Sequence, residues 1–172
     1  MDQSTPAGRY SVFTLLAAGV VLGALAVLGI DYTLDATATD EFCGTCHENN
    51  ATREWRESAH YRNPSGFVAG CADCHLPREL VPKMLRKTKG ATKEVWGHVT
   101  GLIATPEKYE ARRRAMAEAE WARLRANGAQ ECRNCHRPDL MADRSKGGMH
   151  KDALGSGQVC IDCHKGVAHR SP

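Results

Sequence analysis

Four Cys-x-x-Cys pairs carry the chemistry of this chain. All eight cysteines of the 172 residues belong to them: Cys43/Cys46, Cys71/Cys74, Cys132/Cys135 and Cys160/Cys163. A histidine follows every pair: His47, His75, His136 and His164. If the chain's histidines were placed at random, four such coincidences would have a probability of roughly five in a million. The five-residue pattern therefore has a chemical reason.

Cys-x-x-Cys-His is the attachment signature of c-type haem. Both thiols bond to the vinyl groups of the haem, and the imidazole that follows can reach the iron from the same turn. A zinc array would need four ligands at each site and has no use for a histidine after every pair. Disulfides within the pairs would leave the four histidines unexplained. The sequence therefore predicts four covalently bound haem c groups.

The remaining histidines are candidates for the second axial position of each iron. They are His60, His98, His150 and His169. Iron held by two histidines exchanges electrons with little rearrangement and has no open position for substrate. His98 is the weakest candidate and a possible extra ligand, because the helical context "VWGHVTG" could place it at an interface or in water.

The motifs form two pairs with the same internal spacing. Cys43 and Cys71 are 28 residues apart, and so are Cys132 and Cys160. A further histidine lies inside each pair, His60 and His150 respectively. This spacing predicts two duplicated di-haem units, at about 40–80 and 129–172.

A helical connection over 81–128 is predicted between the units. In its second part, Thr105 can cap a long helix, Pro106 suits the first helical position, and Gly128 can end it. The segment before it, 79–103, reads as mixed, with Pro82 and Gly90 as interruptions. The basic run 112–114 could meet an acidic partner, but it is predicted to be a solvated helix face.

The predicted fold is mostly α: an N-terminal transmembrane helix and a compact multihaem cytochrome c domain with little regular sheet. Aromatic residues make up only 6% of the chain, too few to fill a core of this size. Haem groups must therefore form most of the core and lie near one another, as in a wire for electrons. The net charge of +3 is too mild to indicate a nucleic-acid-binding surface.

An uncharged run from Tyr10 to Ile30 precedes the first motif. About twenty helical residues span the roughly 30 Å hydrocarbon layer of a bilayer, so 10–30 is predicted to be a transmembrane anchor. Arg9 lies before it and acidic residues follow, which places 1–9 in the cytoplasm and 31–172 outside. A cleaved signal peptide is the alternative, with "ATA" (36–38) as its cleavage site. Gly19 and Gly23 form a small-xxx-small pair that could support a homodimer.

With the anchor and the motifs placed, the sequence resembles the NapC/NirT/NrfH family of membrane-anchored multihaem quinol dehydrogenases. It is most similar to the tetrahaem NapC/NirT branch. The likeness runs nearly end to end through "EFCGTCHE", "HYRNPSG", "CADCHLPRELVPKMLRK", "TPEKYEARR", "EWARLRANGAQECRNCH" and "CIDCHKGVAH".

The resemblance implies a protein of the bacterial inner membrane with a periplasmic haem domain. It would oxidise membrane quinol near the first haem and pass electrons to a periplasmic reductase or cytochrome in anaerobic respiration. It also implies that His60, His150 and His169 are distal ligands of the second, third and fourth haems, in an order left open. The family lysine of the quinol pocket matches Lys83, which could instead be a solvated cation.

The chain departs from the family pattern at the first haem. Asn49 stands where the family commonly has a methionine ligand, and Ala104 stands where it has an acidic residue. Three arrangements follow: His47 binds its own iron with the sixth site open, His47 and a second histidine such as His98 bind it, or another residue serves. Quinol deprotonation would then need another base, such as Glu48, Glu107 or water.

Three functional classes follow from these observations. The first is a quinol dehydrogenase that relays electrons through four haems. The second is a non-catalytic relay between another membrane redox protein and a periplasmic acceptor. The third, a haem enzyme that reduces a small molecule, requires an open iron with catalytic neighbours.

Overall fold

The described residues of the computed structural model are 11–47, 50–141 and 148–172. They form ten α-helices and no strand, which confirms the mostly α fold class. The helices, in chain order, are α1 Val12–Ala36, α2 Asp40–His47, α3 Ala51–Glu57, α4 Cys71–His75, α5 Leu80–Val99, α6 Pro106–Ala126, α7 Gln130–Arg133, α8 Pro138–Met141, α9 Met149–Gly155 and α10 Cys160–Cys163.

Helix α1 contains the apolar run from Val12 onwards and continues past Ile30 to Ala36. Ser11 caps its start by accepting a hydrogen bond from the backbone N–H of Phe13 at 3.3 Å. Its 25 residues have a mean hydropathy of 2.5 over the most apolar window, which is long and apolar enough to cross a membrane. Tyr10 and the predicted cytoplasmic residues 1–9 lie outside the described residues. The chain divides into two compact units, one ending at Thr37 and the other covering Ala38–Pro172.

The prediction that Pro82 and Gly90 interrupt the helical segment after the second motif is wrong. Helix α5 runs continuously from Leu80 to Val99. Pro82 lies in the first turn of α5. A backbone N–H there would have no partner inside the helix, so the proline removes no helical hydrogen bond. Gly90 costs about 1 kcal/mol relative to alanine in a helix interior, which a helix of 20 residues can absorb.

Helix α6 follows the prediction for the second half of the connection. The hydroxyl of Thr105 accepts a hydrogen bond from the N–H of Lys108 at 3.4 Å, and Pro106 is the first helical residue. The helix ends at Ala126, and Gly128 takes a φ of +67°, a conformation that glycine adopts without steric cost.

Apolar packing within the larger unit is sparse. Among its described residues, the buried apolar side chains are Trp55, Ala69, Leu124, Ala129 and Ile161. The indole N–H of Trp55 donates to the carbonyl of Ala69 at 2.9 Å, which ties α3 to the loop before the second motif. Helix α2 packs against α3 and α4, α4 against α7, and α10 against α6. These contacts bring the haem-attachment motifs of different parts of the chain together.

Candidate haem-binding sites

Short helical turns contain or begin each of the four motifs. The first two motifs lie in α2 and α4, the third begins in α7, and the fourth begins in α10. The backbone N–H of His136 donates to the carbonyl of Cys132 at 2.8 Å, and that of His164 to Cys160 at 2.9 Å. Residues three and four apart on a helix share a face, so Cys71, Cys74 and His75 of the second motif, which lies wholly within α4, share one face. The side chains of Cys46 and His47 lie outside the described part of the structure.

Thiols of different motifs are neighbours. A hydrogen bond joins the thiols of Cys43 and Cys71, and it lowers the pKa of Cys43 to about 7 while it raises that of Cys71. Burial raises the pKa of Cys74 to about 11, with a further contribution from the nearby Cys132. Cys132 in turn interacts with Cys160 of the fourth motif. The predicted attachment points therefore follow one another in space in their chain order.

The second thiols of the third and fourth motifs differ from the other described cysteines. Cys135 and Cys163 are exposed, whereas the others are half-buried, so the polypeptide does not enclose these two predicted attachment points in a core. Cys135 lies beyond α7, which ends at Arg133, and its backbone N–H donates to the carbonyl of Cys132 at 3.3 Å. Its Sγ atom accepts a weak hydrogen bond from Nη2 of Arg78 at 3.8 Å. Haem attachment at Cys135, as at the other motif cysteines, stays a prediction that rests on the motif.

Three pairs of histidine rings face each other at nearly the same separation. The ring centres of His60 and His136 are 6.2 Å apart, with an angle of 80° between the ring planes. Those of His75 and His169 are 6.2 Å apart at 42°. The third pair, His150 and His164, is 6.0 Å apart at 6°. Each pair joins one motif histidine to one of the histidines outside the motifs.

This separation suits a metal ion between two rings. Two imidazole nitrogens that bind a metal at about 2 Å from opposite sides place the ring centres about 6 Å apart, whatever the angle between the ring planes. The Nδ1–H of His60 donates to the carbonyl of Val167 at 3.2 Å, and the Nδ1–H of His75 donates to Glu120 at 3.0 Å. Both hydrogen bonds leave Nε2 for a metal.

His169 carries a buried nitrogen without a partner. Its Nδ1 atom is inaccessible to solvent and has no hydrogen bond to any described residue. Burial lowers the pKa of His169, assisted by the nearby His75, and so favours the neutral imidazole that binds metals. The donor set therefore fits an iron ion held between paired imidazoles.

Glu120 on α6 is a site residue that sequence reasoning missed. Its Oε1 atom accepts hydrogen bonds from Nδ1 of His75 at 3.0 Å and from Nη2 of Arg123 at 2.7 Å. Its Oε2 atom accepts from Nη2 of Arg86 at 3.1 Å. Burial alone would raise the pKa of Glu120, but the bonds from His75 and Arg123 outweigh it and hold the pKa at about 2. No local pattern around residue 120 indicates this contact.

An ionic network fixes the segment that contains His169. Arg113 donates to both carboxylate oxygens of Glu54 at 2.6 and 2.9 Å and to the carbonyl of Arg170 at 2.9 Å. The side chains of Glu54 and Arg113 are only 3% and 8% exposed, so the prediction of a solvated face is wrong for Arg113. Burial would raise the pKa of Glu54, but hydrogen bonds from Arg113 and Arg170 lower it to about 2.

Two lysines of α5 are candidates for the surroundings of the first motif. Lys83 is half-buried in the first turn of the helix. Lys87 lies one turn later, and its charge contributes to the lowered pKa of Cys43. Sequence reasoning singled out Lys83 and missed Lys87, although a spacing of four residues on a helix places both on one face.

The other candidates for the first haem fall in different places. Glu48 and Asn49 lie outside the described residues. Glu107 is exposed in the first turn of α6, where hydrogen bonds from its own backbone N–H and from Thr105 lower its pKa and make it a weak base. Ala104 is exposed just before that helix. His98 is exposed in the last turn of α5 and faces no other described histidine ring.

Comparison with known proteins gives consistent matches. The family model for the N-terminal region of the NapC/NirT cytochrome c family matches residues 5–172. The cytochrome c-type protein NapC of Escherichia coli (strain K12) is 47% identical over 170 residues, which are 95% of this chain and 84% of NapC. The denitrification system component NirT of Stutzerimonas stutzeri is 43% identical over 174 residues, 97% of this chain and 86% of NirT.

Two further likenesses were found. A putative tetraheme cytochrome-c type protein of Allochromatium vinosum is 46% identical over 167 residues, 93% of this chain and 90% of that protein. A crystal structure of the cytochrome c nitrite reductase NrfHA complex bound to the HQNO inhibitor contains a chain that is 22% identical. It aligns with a TM-score of 0.49, over 89% of this chain and 88% of that one.

Proposed function

The chain belongs to the NapC/NirT cytochrome c family, and from this membership and the paired histidine rings we propose that it is a tetrahaem quinol dehydrogenase. As a family member with the apolar helix α1, it is a membrane-anchored electron-transfer protein with covalently bound haem c. The proposed activity is oxidation of membrane quinol, with relay of the electrons through four haems to a periplasmic reductase.

The three ring pairs are the observation that carries the proposal. They support His75 and His169 as the proposed ligands of the second haem, His136 and His60 of the third, and His164 and His150 of the fourth. The eight motif cysteines would hold the haems covalently. A bound haem supplies an iron that takes up and releases one electron at a time. With two imidazoles on an iron, no position is left for substrate, which suits a relay rather than a reductase.

The neighbouring thiols support electron transfer in chain order. Cys43 lies against Cys71, Cys74 is near Cys132, and Cys132 interacts with Cys160. Haems attached at adjacent thiols must lie close to one another. We therefore propose a path from the first haem through the second and third to the fourth.

The first haem is the proposed quinol-oxidising end. Helix α2, which carries the first motif, begins at Asp40, close in the chain to the end of α1 at Ala36. Quinol oxidation releases two electrons, which would pass one at a time to the first haem, and two protons, which water would accept. The ammonium group of Lys83 is proposed to orient a quinol oxygen. His47 is proposed to bind the first iron with the sixth position open. Ligation by His98 remains the alternative.

Topology and partners complete the proposal. Arg9 before the anchor and the acidic residues after it support a cytoplasmic N-terminus and a periplasmic haem domain in a bacterial inner membrane. The relative NirT is described as a denitrification system component, which supports a periplasmic reductase of anaerobic respiration as the acceptor. Gly19 and Gly23 on α1 would form the contact of a homodimer within the bilayer.

Purified full-length protein in detergent, mixed with a reduced quinol analogue and no other protein, tests the activity. We expect the haem absorption bands to shift to those of the reduced state. The Lys83→Gln variant should raise KM for the quinol, while Lys93→Gln, which removes an exposed charge from the same helix, should leave KM unchanged. If dithionite reduces the haems but the quinol does not, the protein is a relay that needs another donor.

Haem content and spin state test the cofactor assignment. A pyridine haemochrome assay should give four haems per chain. Quantitative EPR of the oxidised protein should show three low-spin centres, one for each ring pair, and one high-spin centre for the first haem. Four low-spin centres would instead indicate that a further residue, such as His98, binds the first iron.

A further inference from the structure

The second-motif histidine differs from the third and fourth in its surroundings. His75 donates from Nδ1 to the carboxylate of Glu120 at 3.0 Å. Neither His136 nor His164 has a hydrogen bond or ion pair to a carboxylate in the described part of the chain. The three motifs have the same residue pattern, so this contact is a local addition at one of them.

Two arginines hold the Glu120 carboxylate in place. Arg123 donates to its Oε1 atom from Nε at 2.9 Å and from Nη2 at 2.7 Å, and also to the carbonyl of Cys74 at 3.0 Å. Arg86 donates to its Oε2 atom at 3.1 Å and to the carbonyl of His75 at 3.3 Å. Both guanidinium groups therefore tie the carboxylate to the backbone of the second motif.

The Glu120 side chain is only 22% exposed, so its electrostatic influence on nearby groups is less screened than that of a surface carboxylate. A carboxylate that accepts the Nδ1–H of a ligating histidine makes the other ring nitrogen a more basic ligand. A more basic imidazole favours ferric over ferrous iron, because the ferric ion carries the higher positive charge. Hydrogen bonding around axial ligands is one of the means by which proteins set haem potentials.

We propose that Glu120 is a positioning residue that lowers the reduction potential of the second haem through His75. This inference rests on the proposed function only in taking His75 as an iron ligand. Arg86 opposes the effect, because its guanidinium draws electron density from the carboxylate. Glu120 and Arg86 together set the tendency of this one iron to accept an electron, independently of the quinol and of the final acceptor.

Redox titration of the full-length protein with its haems loaded, followed by absorption and EPR, tests the proposal. The second haem is identified as the one whose low-spin EPR signal is lost in His169→Ala. In Glu120→Gln, we expect its ferrous-to-ferric ratio at a fixed potential to rise at least tenfold, equivalent to 59 mV for one electron. In Arg86→Gln, we expect the ratio for the same haem to fall.

Glu118→Gln is the matched control. Glu118 lies on the same helix, its side chain is 59% exposed, and its carboxylate is 3.9 Å from Arg114. Its neutralisation changes the net charge equally, and each haem ratio should stay within twofold of the parent. Equal shifts in Glu118→Gln and Glu120→Gln would overturn the proposal, and so would shifts of the same sign in Glu120→Gln and Arg86→Gln.

Loss of haem from the Glu120→Gln variant would leave a second route to a result. Arg86→Gln retains the carboxylate, and a potential that is unchanged or raised in this variant would overturn the proposal. The outcome is separable from the proposed function. Failure of quinol to reduce the parent protein would overturn the dehydrogenase activity, while the titration with chemical reductants would still show or exclude the opposite shifts.

Discussion

The two predicted di-haem units, at about 40–80 and 129–172, have equal motif spacing but differ in how their histidine rings pair. In the second unit, His150 faces His164 of the same unit. The other two pairs cross between units: His60 of the first faces His136 of the second, and His169 of the second faces His75 of the first. A repeat that looks like two independent modules in the sequence is therefore interlocked in space.

The ionic network crosses between units in the same way. Glu54 belongs to the first unit, Arg113 to the helical connection and Arg170 to the end of the second unit. Their contacts hold the segment around His169 beside α3. The di-haem units are therefore linked both by histidine pairs and by buried charged groups. We expect the loss of these links to change the EPR signals and the free energy of unfolding more than the loss of contacts within one unit.

Loss of a crossed histidine pair should have the largest effect. We expect His60→Ala and His136→Met to alter the same low-spin EPR signal, because the two rings face each other at 6.2 Å. His150→Ala should alter a different signal, that of the pair confined to the second unit. EPR of the oxidised variants, with haem content measured in parallel, reports the signals.

His98→Ala is the control for a histidine that faces no other described histidine ring. Since His98 is exposed at the end of α5, the number of low-spin signals should stay the same in this variant. Two different signals lost in His60→Ala and His136→Met would show that the pair does not share an iron and that the units are not interlocked there.

Removal of a charged side chain that links the di-haem units should have the next largest effect. Glu54→Ala removes one of the two carboxylates that pair with the buried guanidinium of Arg113 and leaves the other, Glu110, in place, so a loss of about 1.5–3 kcal/mol is expected. Arg170→Ala removes a partner of the same carboxylate, but that side chain is 69% exposed, so a loss of about 1 kcal/mol or less is expected. Denaturant unfolding with unchanged slope measures both. Equal losses would mean that the buried position of Arg113 is unimportant.

Acid should weaken the same link. The pKa of Glu54 lies at about 2 in the folded protein, below its ordinary value of 4.5. A depressed carboxyl pKa contributes stability that is complete above about 4.5 and is lost as the pH falls towards about 2. Unfolding midpoints of the parent should therefore fall across this window more steeply than those of Glu54→Gln. Parallel curves for the two proteins would exclude Glu54 as a source of acid sensitivity.

The features that could be predicted from the sequence are those that depend on residues close together in the chain. The Cys-x-x-Cys-His motifs each fit one helical turn, and Thr105, Pro106 and Gly128 determine α6 by local rules. The histidine pairs depend on chain segments that meet only after folding, so their partners could not be read from the sequence. The contacts of Arg113 and Glu120 could not be predicted for the same reason, since their partners Glu54 and His75 lie on other helices.

A contact confined to the first unit should show the smallest effect. The carboxylate of Asp40 on α2 accepts the backbone N–H of Cys71 at 2.7 Å and so caps the start of α4. Loss of such a cap costs about 1 kcal/mol, which is the expected effect of Asp40→Ala in denaturant unfolding. A methyl group on Gly70 would lie 2.8 Å from the same carboxylate oxygen, so Gly70→Ala should displace the cap.

The double variant distinguishes this explanation from separate defects. If Gly70→Ala acts by moving Asp40, it should cost almost nothing once Asp40 is alanine, and the two losses should be far from additive. Additive losses would show that the methyl group disturbs the backbone itself. Because this contact stays within one unit, neither variant should change the EPR signals assigned to the crossed histidine pairs. A change in those signals would mean that the start of α4 also positions His75, so that the histidine pair of His75 depends on the Asp40 cap.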